Sequence, residues 1–409
     1  MGRVIGCDLT DKVAQISISI EKEEGEEVVS VPVITGSEKY VIPVLASIGA
    51  GVDDILFGED AARCEDPERT KVSSLISGAL RDEAVTVGDV SIPCKELLRG
   101  FIRKSIHLSG SYAPYSEVER VVITIPEPLE DTVRLLEEVC DFLKEDGKNV
   151  RISGYPESFF YYAMNQEQEL TRNKIALFDF DGQRLRSMML STRLDVRPHV
   201  SMVEERVFDM PGKDDGTFLE IARSILDSEI VSAVYLSGEG FEGGWLDRSV
   251  QYLCERRRRV FQGRNLYTKG ACYAGIDDRD GNPQLSSCKF FDRDKVTSDV
   301  GIHIYEDGQE TYLGLVYAGS NWYDAKRELE FMLGEDREIR IRIESYYTTE
   351  VRYSVIRAEE FPQRPDKCTR VRFCFEMKDT DLMEIEAYDL GFGEIYRSSG
   401  NVIKTRVYL

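Results

Sequence analysis

The chain has 409 residues, with 74 acidic against 52 basic side chains, a formal charge of −22 and 42% hydrophobic residues. That length allows two or three domains, each with a core of its own, and excludes a single small module. A field of this sign repels phosphate backbones and acidic lipids, which argues against a general nucleic-acid binder and against an anionic-membrane binder.

The first twenty residues contain no uninterrupted apolar run, and no later segment approaches the ~20 apolar residues of a membrane span. Nine cysteines, at 7, 64, 94, 140, 254, 272, 288, 368 and 374, are scattered without a CxxC pair, so neither a disulfide frame nor a zinc site is indicated. The three histidines, 107, 199 and 303, lie far apart and outside any ligand spacing. A soluble protein of the reducing cytoplasm is expected, with Cys7 and Cys272 as small buried hydrophobes.

In chain order, Val4–Cys7 and Ile16–Ile20 read as two strands of a hairpin around the polar turn Thr10-Asp11-Lys12. The acidic run Glu21 to Glu27 reads as a solvated turn, and Val28 to Ile34 as further strand. A helix is expected near Lys95 to His107. Val121 to Pro126 followed by an amphipathic Leu129 to Leu143 is a buried strand feeding a helix, the unit of an α/β sheet. The pattern recurs with Val150–Ile152 and Phe159–Met164. Ile175–Phe178 opens another strand, then Phe218–Leu226 reads as helix, Ala233–Leu236 as strand and Trp245–Arg257 as helix. Residues 286–294 have linker character. Beyond them strict alternation, as in Glu338–Glu344 and Arg370–Glu376, marks half-buried antiparallel strands, apart from a short helical stretch near Asp324 to Leu333. No repeat of fixed period is visible.

Three pieces in order, Gly6-Cys7-Asp8-Leu9-Thr10, Phe178-Asp179-Phe180-Asp181-Gly182 and Leu236-Ser237-Gly238-Glu239-Gly240, resemble the two phosphate loops and the glycine-rich nucleoside turn of the actin-like ATPase superfamily. Val122–Pro126 and Tyr155–Ala163 resemble connecting segments of its 70-kDa heat-shock (DnaK-type) branch, and Phe57–Ala62 and Thr268–Cys272 resemble two further stretches. The resemblance implies a duplicated, ribonuclease H-like α/β domain of actin type over 1–285, a linker over 286–294, and an all-β sandwich over 295–409. The sandwich begins near the phrase Val300 to Gly308 and lacks the helical lid. The resemblance also implies ATP or ADP with Mg. Asp8 and Asp179 would be the catalytic and metal-binding carboxylates, and Gly6, Thr10, Lys12, Asp181, Gly182, Gly238 and Gly240 the nucleotide contacts.

Several residues depart from that pattern. Thr10-Asp11-Lys12 stands where the family has glycine and hydroxyl residues, so Asp11 would bring negative charge toward phosphate and Lys12 could offset it. Asp181 replaces a glycine, with Gln183-Arg184 following; carboxylates 179 and 181 could share a metal ion or repel a triphosphate. Tyr155 stands where a glutamate usually precedes the proline, Glu157 lies beyond that proline, and the family lysine has no clean match, Lys71 being close and Leu75–Gly78 aligning better. Only 56 positions separate Asp179 from Tyr235, so an outer subdomain is missing. Asp8 also reads as a plain turn acid, Gly238 and Gly240 as backbone necessities, and Arg256–Arg259 as a solvated helix face or a phosphate or acidic-partner site.

The expected function is therefore a chaperone-like scaffold with weak or lost ATP binding and little hydrolysis. It would hold protein or extended-peptide partners through its β domain by strand addition. An active Mg-ATP-dependent chaperone-like ATPase is the alternative. An actin-like filament subunit ranks below both, because strong negative charge opposes self-association.

Overall fold

A computed structural model describes residues 2–23, 25–51, 54–88, 90–282, 285, 287–306, 309–346 and 350–409. Ser286, the first residue of the expected linker, and Asp307 and Gly308, which end the phrase from Val300, lie outside the described residues. The chain is mixed α/β and divides into two compact units, Met1–Arg193 with Met202–Ser287, and Leu194–Ser201 with Cys288–Leu409.

In the first unit, β1 (Arg3–Leu9) and β2 (Val13–Lys22) form the hairpin, followed by β3 (Gly25–Ser30). Short helix α1 (Leu75–Leu80), α2 (Cys94–His107), β4 (Val118–Ile125), α3 (Glu130–Val139), β5 (Asn149–Gly154) and α4 (Tyr155–Met164) come next. Then come β6 (Lys174–Phe180), β7 (Arg184–Arg193), β8 (His199–Asp209), α5 (Asp215–Leu226), β9 (Val231–Ser237), β10 (Arg259–Gln262) and α6 (Leu266–Asp280). Strands β1, β4, β6 and β9 are nearly continuous buried apolar runs, as sheets covered on both faces require. Asp214 caps α5 by accepting from the Thr217 N–H at 2.7 Å.

Two sheets of this unit repeat one topology. The first runs β5-β4-β1-β2-β3, and five strands of the second run β10-β9-β6-β7-β8. In each, the first strand is antiparallel to the second and parallel to the fourth, which is parallel to the fifth. A helix follows the fifth strand in both halves, α4 after β5 and α6 after β10.

The second unit is built of strands β11 (Ser298–Glu306), β12 (Gln309–Val316), β13 (Lys326–Met332), β14 (Glu338–Ser345), β15 (Val351–Arg357), β16 (Arg370–Met377), β17 (Leu382–Gly391) and β18 (Val402–Tyr408). They form two antiparallel sheets, β12-β11-β14-β15 and β13-β16-β17-β18. Alternate residues such as Ile339, Ile341 and Ile343 from one sheet and Val371, Phe373 and Phe375 from the other enter a common core. Each fully buried side chain of this size contributes about 1.5–3 kcal/mol. Within the unit, Asp389 and Arg364 form a buried bidentate ion pair at 2.6 and 2.7 Å.

The structure corrects several local expectations. The helix expected near Asp324 to Leu333 is mostly strand β13, because Leu329 and Phe331 alternate inward against β16 while Glu328 and Glu330 face out. The linker 286–294 contains a strand, Cys288–Phe291. The acidic run is not one turn: β2 extends to Lys22 and β3 begins at Gly25, with Glu26 held by Arg279 at 2.6 Å. Leu129–Leu143 is broken at Cys140 into α3 and Asp141–Glu145. Trp245–Arg257 is helical only over Arg248–Leu253, followed by a tight turn with Arg256 and Arg257 at φ 55° and 62°. The arginine run is solvated at Arg256, Arg257 and Arg259 but is not a helix face, and Arg258 is buried, donating to the Leu253 and Tyr252 carbonyls, while Arg259 pairs with Glu167 and Glu169.

Helices α4 and α6 approach at backbone contact. A Cβ on Gly270 would lie 1.9 Å from the Ser158 carbonyl oxygen, and one on Gly6 2.1 Å from the Thr268 carbonyl oxygen. Glycine is needed at both because backbone cannot give way. Gly270→Ala is expected to force the helices apart and lower unfolding stability by about 1–3 kcal/mol, measured by urea denaturation against a Gly263→Ala control, whose Cβ meets nothing closer than Asn265 Oδ1 at 3.8 Å.

Candidate functional site

Asp8 is the penultimate residue of β1, and Asp179 the penultimate residue of β6. Their surroundings correspond. Asp8 is in register with Thr124 on β4 and Gln15 on β2, and Asp179 with Ser237 on β9 and Arg186 on β7. The repeated topology thus delivers two carboxylates to one place, where Asp8 feels the charge of Asp179.

Two tyrosines close that place. Tyr155, the first residue of α4, donates its hydroxyl to Asp8 Oδ1 at 2.8 Å. Tyr267, the second residue of α6, donates to Asp179 Oδ2 at 3.0 Å. Their rings stack with centroids 3.6 Å apart and planes 12° from parallel. The Arg186 guanidinium lies 5.5 Å from the Tyr155 ring centre, donates to the Pro126 carbonyl at 2.8 Å and pairs with Glu205 at 3.1 Å. Burial, reinforced by the neighbouring carboxylates, pushes both phenols well above their ordinary range, so they remain protonated donors. Burial likewise raises the Asp8 carboxyl from 3.8 to about 7, against the lowering effect of the Tyr155 hydrogen bond and with a further rise from Asp179. Asp179 is raised too, by burial first, with Arg186 and the Tyr267 hydroxyl opposing.

Of the remaining residues of the expected cradle, Gly238, Gly240, Asp181 and Gly182 gather at the end of β6. Gly238 approaches β6 so closely that a Cβ would meet the Phe180 carbonyl oxygen at 2.2 Å and Asp179 Oδ1 at 2.8 Å. Gly240 packs on the Phe180 ring and the Gly182 N–H. Asp181 accepts from the Gln183 and Arg184 N–H groups at 2.8 and 2.7 Å. Partial burial raises its pKa, but these bonds and the charges of Arg184 and Lys12 outweigh it and hold the carboxyl below its usual range. Gly6 lies elsewhere, within β1 against the backbone of α6.

Several expected roles are taken by local structure. Thr10 turns its hydroxyl onto its own hairpin, donating to the Val13 carbonyl at 2.8 Å and accepting from the Val13 N–H at 2.9 Å. Asp11 is directed to α1, where it accepts from the Ile76 N–H at 3.0 Å and from the Ser77 hydroxyl. Glu157 accepts from Arg151 and from Ser153 at 3.2 Å, and Lys71 donates to the Ala62 carbonyl. Among the described residues no group of three or more His, Cys, Asp or Glu is placed to hold a metal ion. As placed, Asp8 and Asp179 are each engaged by a tyrosine hydroxyl and Gly238 and Gly240 are closed in by protein, whereas Gly182 has open space beside it.

Tyr267 had no signal of its own in the sequence. It is found only once α4 and α6 are seen as equivalent helices, each opening with a tyrosine. The arrangement can accept hydrogen bonds and exchange a proton near neutrality.

Fold and site define a two-unit protein, a duplicated α/β unit whose paired carboxylates are closed by stacked tyrosines, joined in sequence to an antiparallel β unit. Residues 27–292 match the family described as "Family of unknown function (DUF5716) C-terminal", and the chain belongs to that family. Residues 295–409 match "Domain of unknown function (DUF8552)". Comparison with curated proteins finds no match. No helix among the described residues is long and apolar enough to cross a membrane.

The Asp8 carboxyl ionises near 3.8 when unfolded and at about 7 when folded. Between those values the folded chain holds more protons, so stability falls as pH rises through this window and is level above it. Asp8→Asn keeps an oxygen acceptor for Tyr155 and removes the titration. Urea unfolding is expected to show the wild type losing on the order of a few kcal/mol between pH 4 and pH 7 relative to Asp8→Asn. Parallel pH profiles for the two proteins would contradict the assignment.

Proposed function

We propose that this protein is a scaffold on the actin-like, duplicated framework of the 70-kDa heat-shock branch, with weak or lost ATP binding and little hydrolysis. It acts in the cytoplasm through protein contacts made by its β unit. One observation carries the reading: Tyr155 and Tyr267 stack on one another and engage Asp8 and Asp179 with their hydroxyls, the carboxylates that would otherwise orient a metal-bound water. Polarising water for attack on a phosphoryl group depends on ionised, correctly aimed groups. Carboxylates already held by phenols are not free to aim such a water. The free thiols at all nine cysteines are compatible with a reducing compartment.

Calorimetric titration with Mg-ATP, together with a phosphate-release assay, tests the proposal. The wild type is expected to give no Mg-dependent heat and no release above background. Binding that Asp8→Ala abolishes would instead support the active ATPase.

A further inference from the structure

Sheet edges leave a row of backbone N–H and C=O groups without a neighbour, and exposed edges are normally blunted by charge. All four edges in the β unit carry charge: β12 presents Glu310, β13 presents Lys326, Glu328 and Glu330, β18 presents Lys404 and Arg406, and β15 presents Arg352 and Arg357. β15 also carries an uncharged row. It pairs only with β14 among the described strands, and the residues that precede Arg357 on its outward face, Val351, Tyr353 and Val355, are exposed by 43%, 56% and 43%. Its other face is committed to the unit, with Ile356 buried and Arg352 donating to the Tyr408 carbonyl at 2.7 Å.

The outward sequence Val-x-Tyr-x-Val reads the same in both directions about Tyr353. A twofold contact requires a surface that is complementary to itself, and this one is. We propose that the edge of β15 pairs antiparallel with β15 of a second copy, in the register that places Tyr353 opposite Tyr353. Val351 then faces Val355 of the second copy on one side of the extended sheet, and Arg352 faces Ser354 on the other. No like charges stand directly opposite. Two acids on the neighbouring strand are paired: Glu338 with Arg340 at 3.1 Å and Arg357 at 3.2 Å, and Glu344 with Arg342 at 2.7 Å. The charge of −22 on each copy therefore opposes approach from a distance without disfavouring the contact itself. This inference rests on the reading that the β unit makes the protein contacts, and it names the partner.

Sedimentation of the full chain is expected to show a concentration-dependent dimer that strengthens from about 50 to about 300 mM salt, because salt screens the repulsion. Tyr353→Lys should lose the dimer with an unchanged circular dichroism spectrum. Register is read by oxidation. Paired Cβ atoms lie about 4.5–5.5 Å apart, close to disulfide reach, so Tyr353→Cys should cross-link to itself. Val351→Cys should cross-link only when mixed with Val355→Cys, each compared with oxidised wild type. A dimer weakened by salt, or cross-links independent of position, would overturn the proposal.

A labelled peptide of residues 350–357 separates the two readings. If the chain stays monomeric at about 100 μM, a concentration that would populate even a weak dimer, yet binds the peptide, the second copy is excluded and partner binding by the β unit survives. If it binds neither, both readings fall.

Discussion

Two carboxylates placed side by side in a protein interior are costly unless something satisfies them. In this chain the repeated strand order makes that encounter unavoidable, because the same penultimate position of the first strand in each half carries an aspartate. The solution is internal: one phenol per carboxylate, supplied from the first turn of the helix that follows the fifth strand of the same half. The ring stack, the closed turn at Gly238 and the raised proton affinity of Asp8 all follow from meeting that demand with protein instead of solvent or ions.

The sequence made the local half of this legible. The β1-turn-β2 hairpin, the strand-to-helix step at β4, and the alternating strands of the second unit are visible in periodicity alone, because each is dictated by which side must be dry. Asp8 and Asp179 stood out as acids at the ends of apolar strands. What was hidden depends on tertiary geometry. Tyr267 meets Asp179 across 88 positions, and only the position of α6 brings it there. The topological repeat leaves no repeat in the residues, since a strand needs only apolar side chains and many sequences supply them. Leu329 and Phe331 looked helical in a short window, but pairing with β16 decided otherwise.

Asp11 and Gly6 show why loop resemblance and loop function separate. Both fall in the stretch whose sequence resembles a phosphate loop, and both serve the fold, one holding the start of α1 and the other admitting α6. Acid charge in the chain is likewise arranged more by neighbour than by total. Much of it is answered locally by arginine, as at Glu26, Glu338 and Asp389, so a large formal charge coexists with surface regions that are close to neutral.

Helix α6 belongs by sequence to the second half of the first unit but packs against β1 of the first half. Thr268, next to Tyr267, donates to the Gly6 carbonyl at 2.9 Å. The residue that satisfies Asp179 is therefore fastened, one position later, to the strand that carries Asp8. A sliding of α6 along β1 would break the Thr268 anchor, the ring stack and the Tyr267 hydrogen bond together. The position of α6 is in this way shared by both carboxylates, one held through Tyr267 and the other through the tyrosine stacked on it.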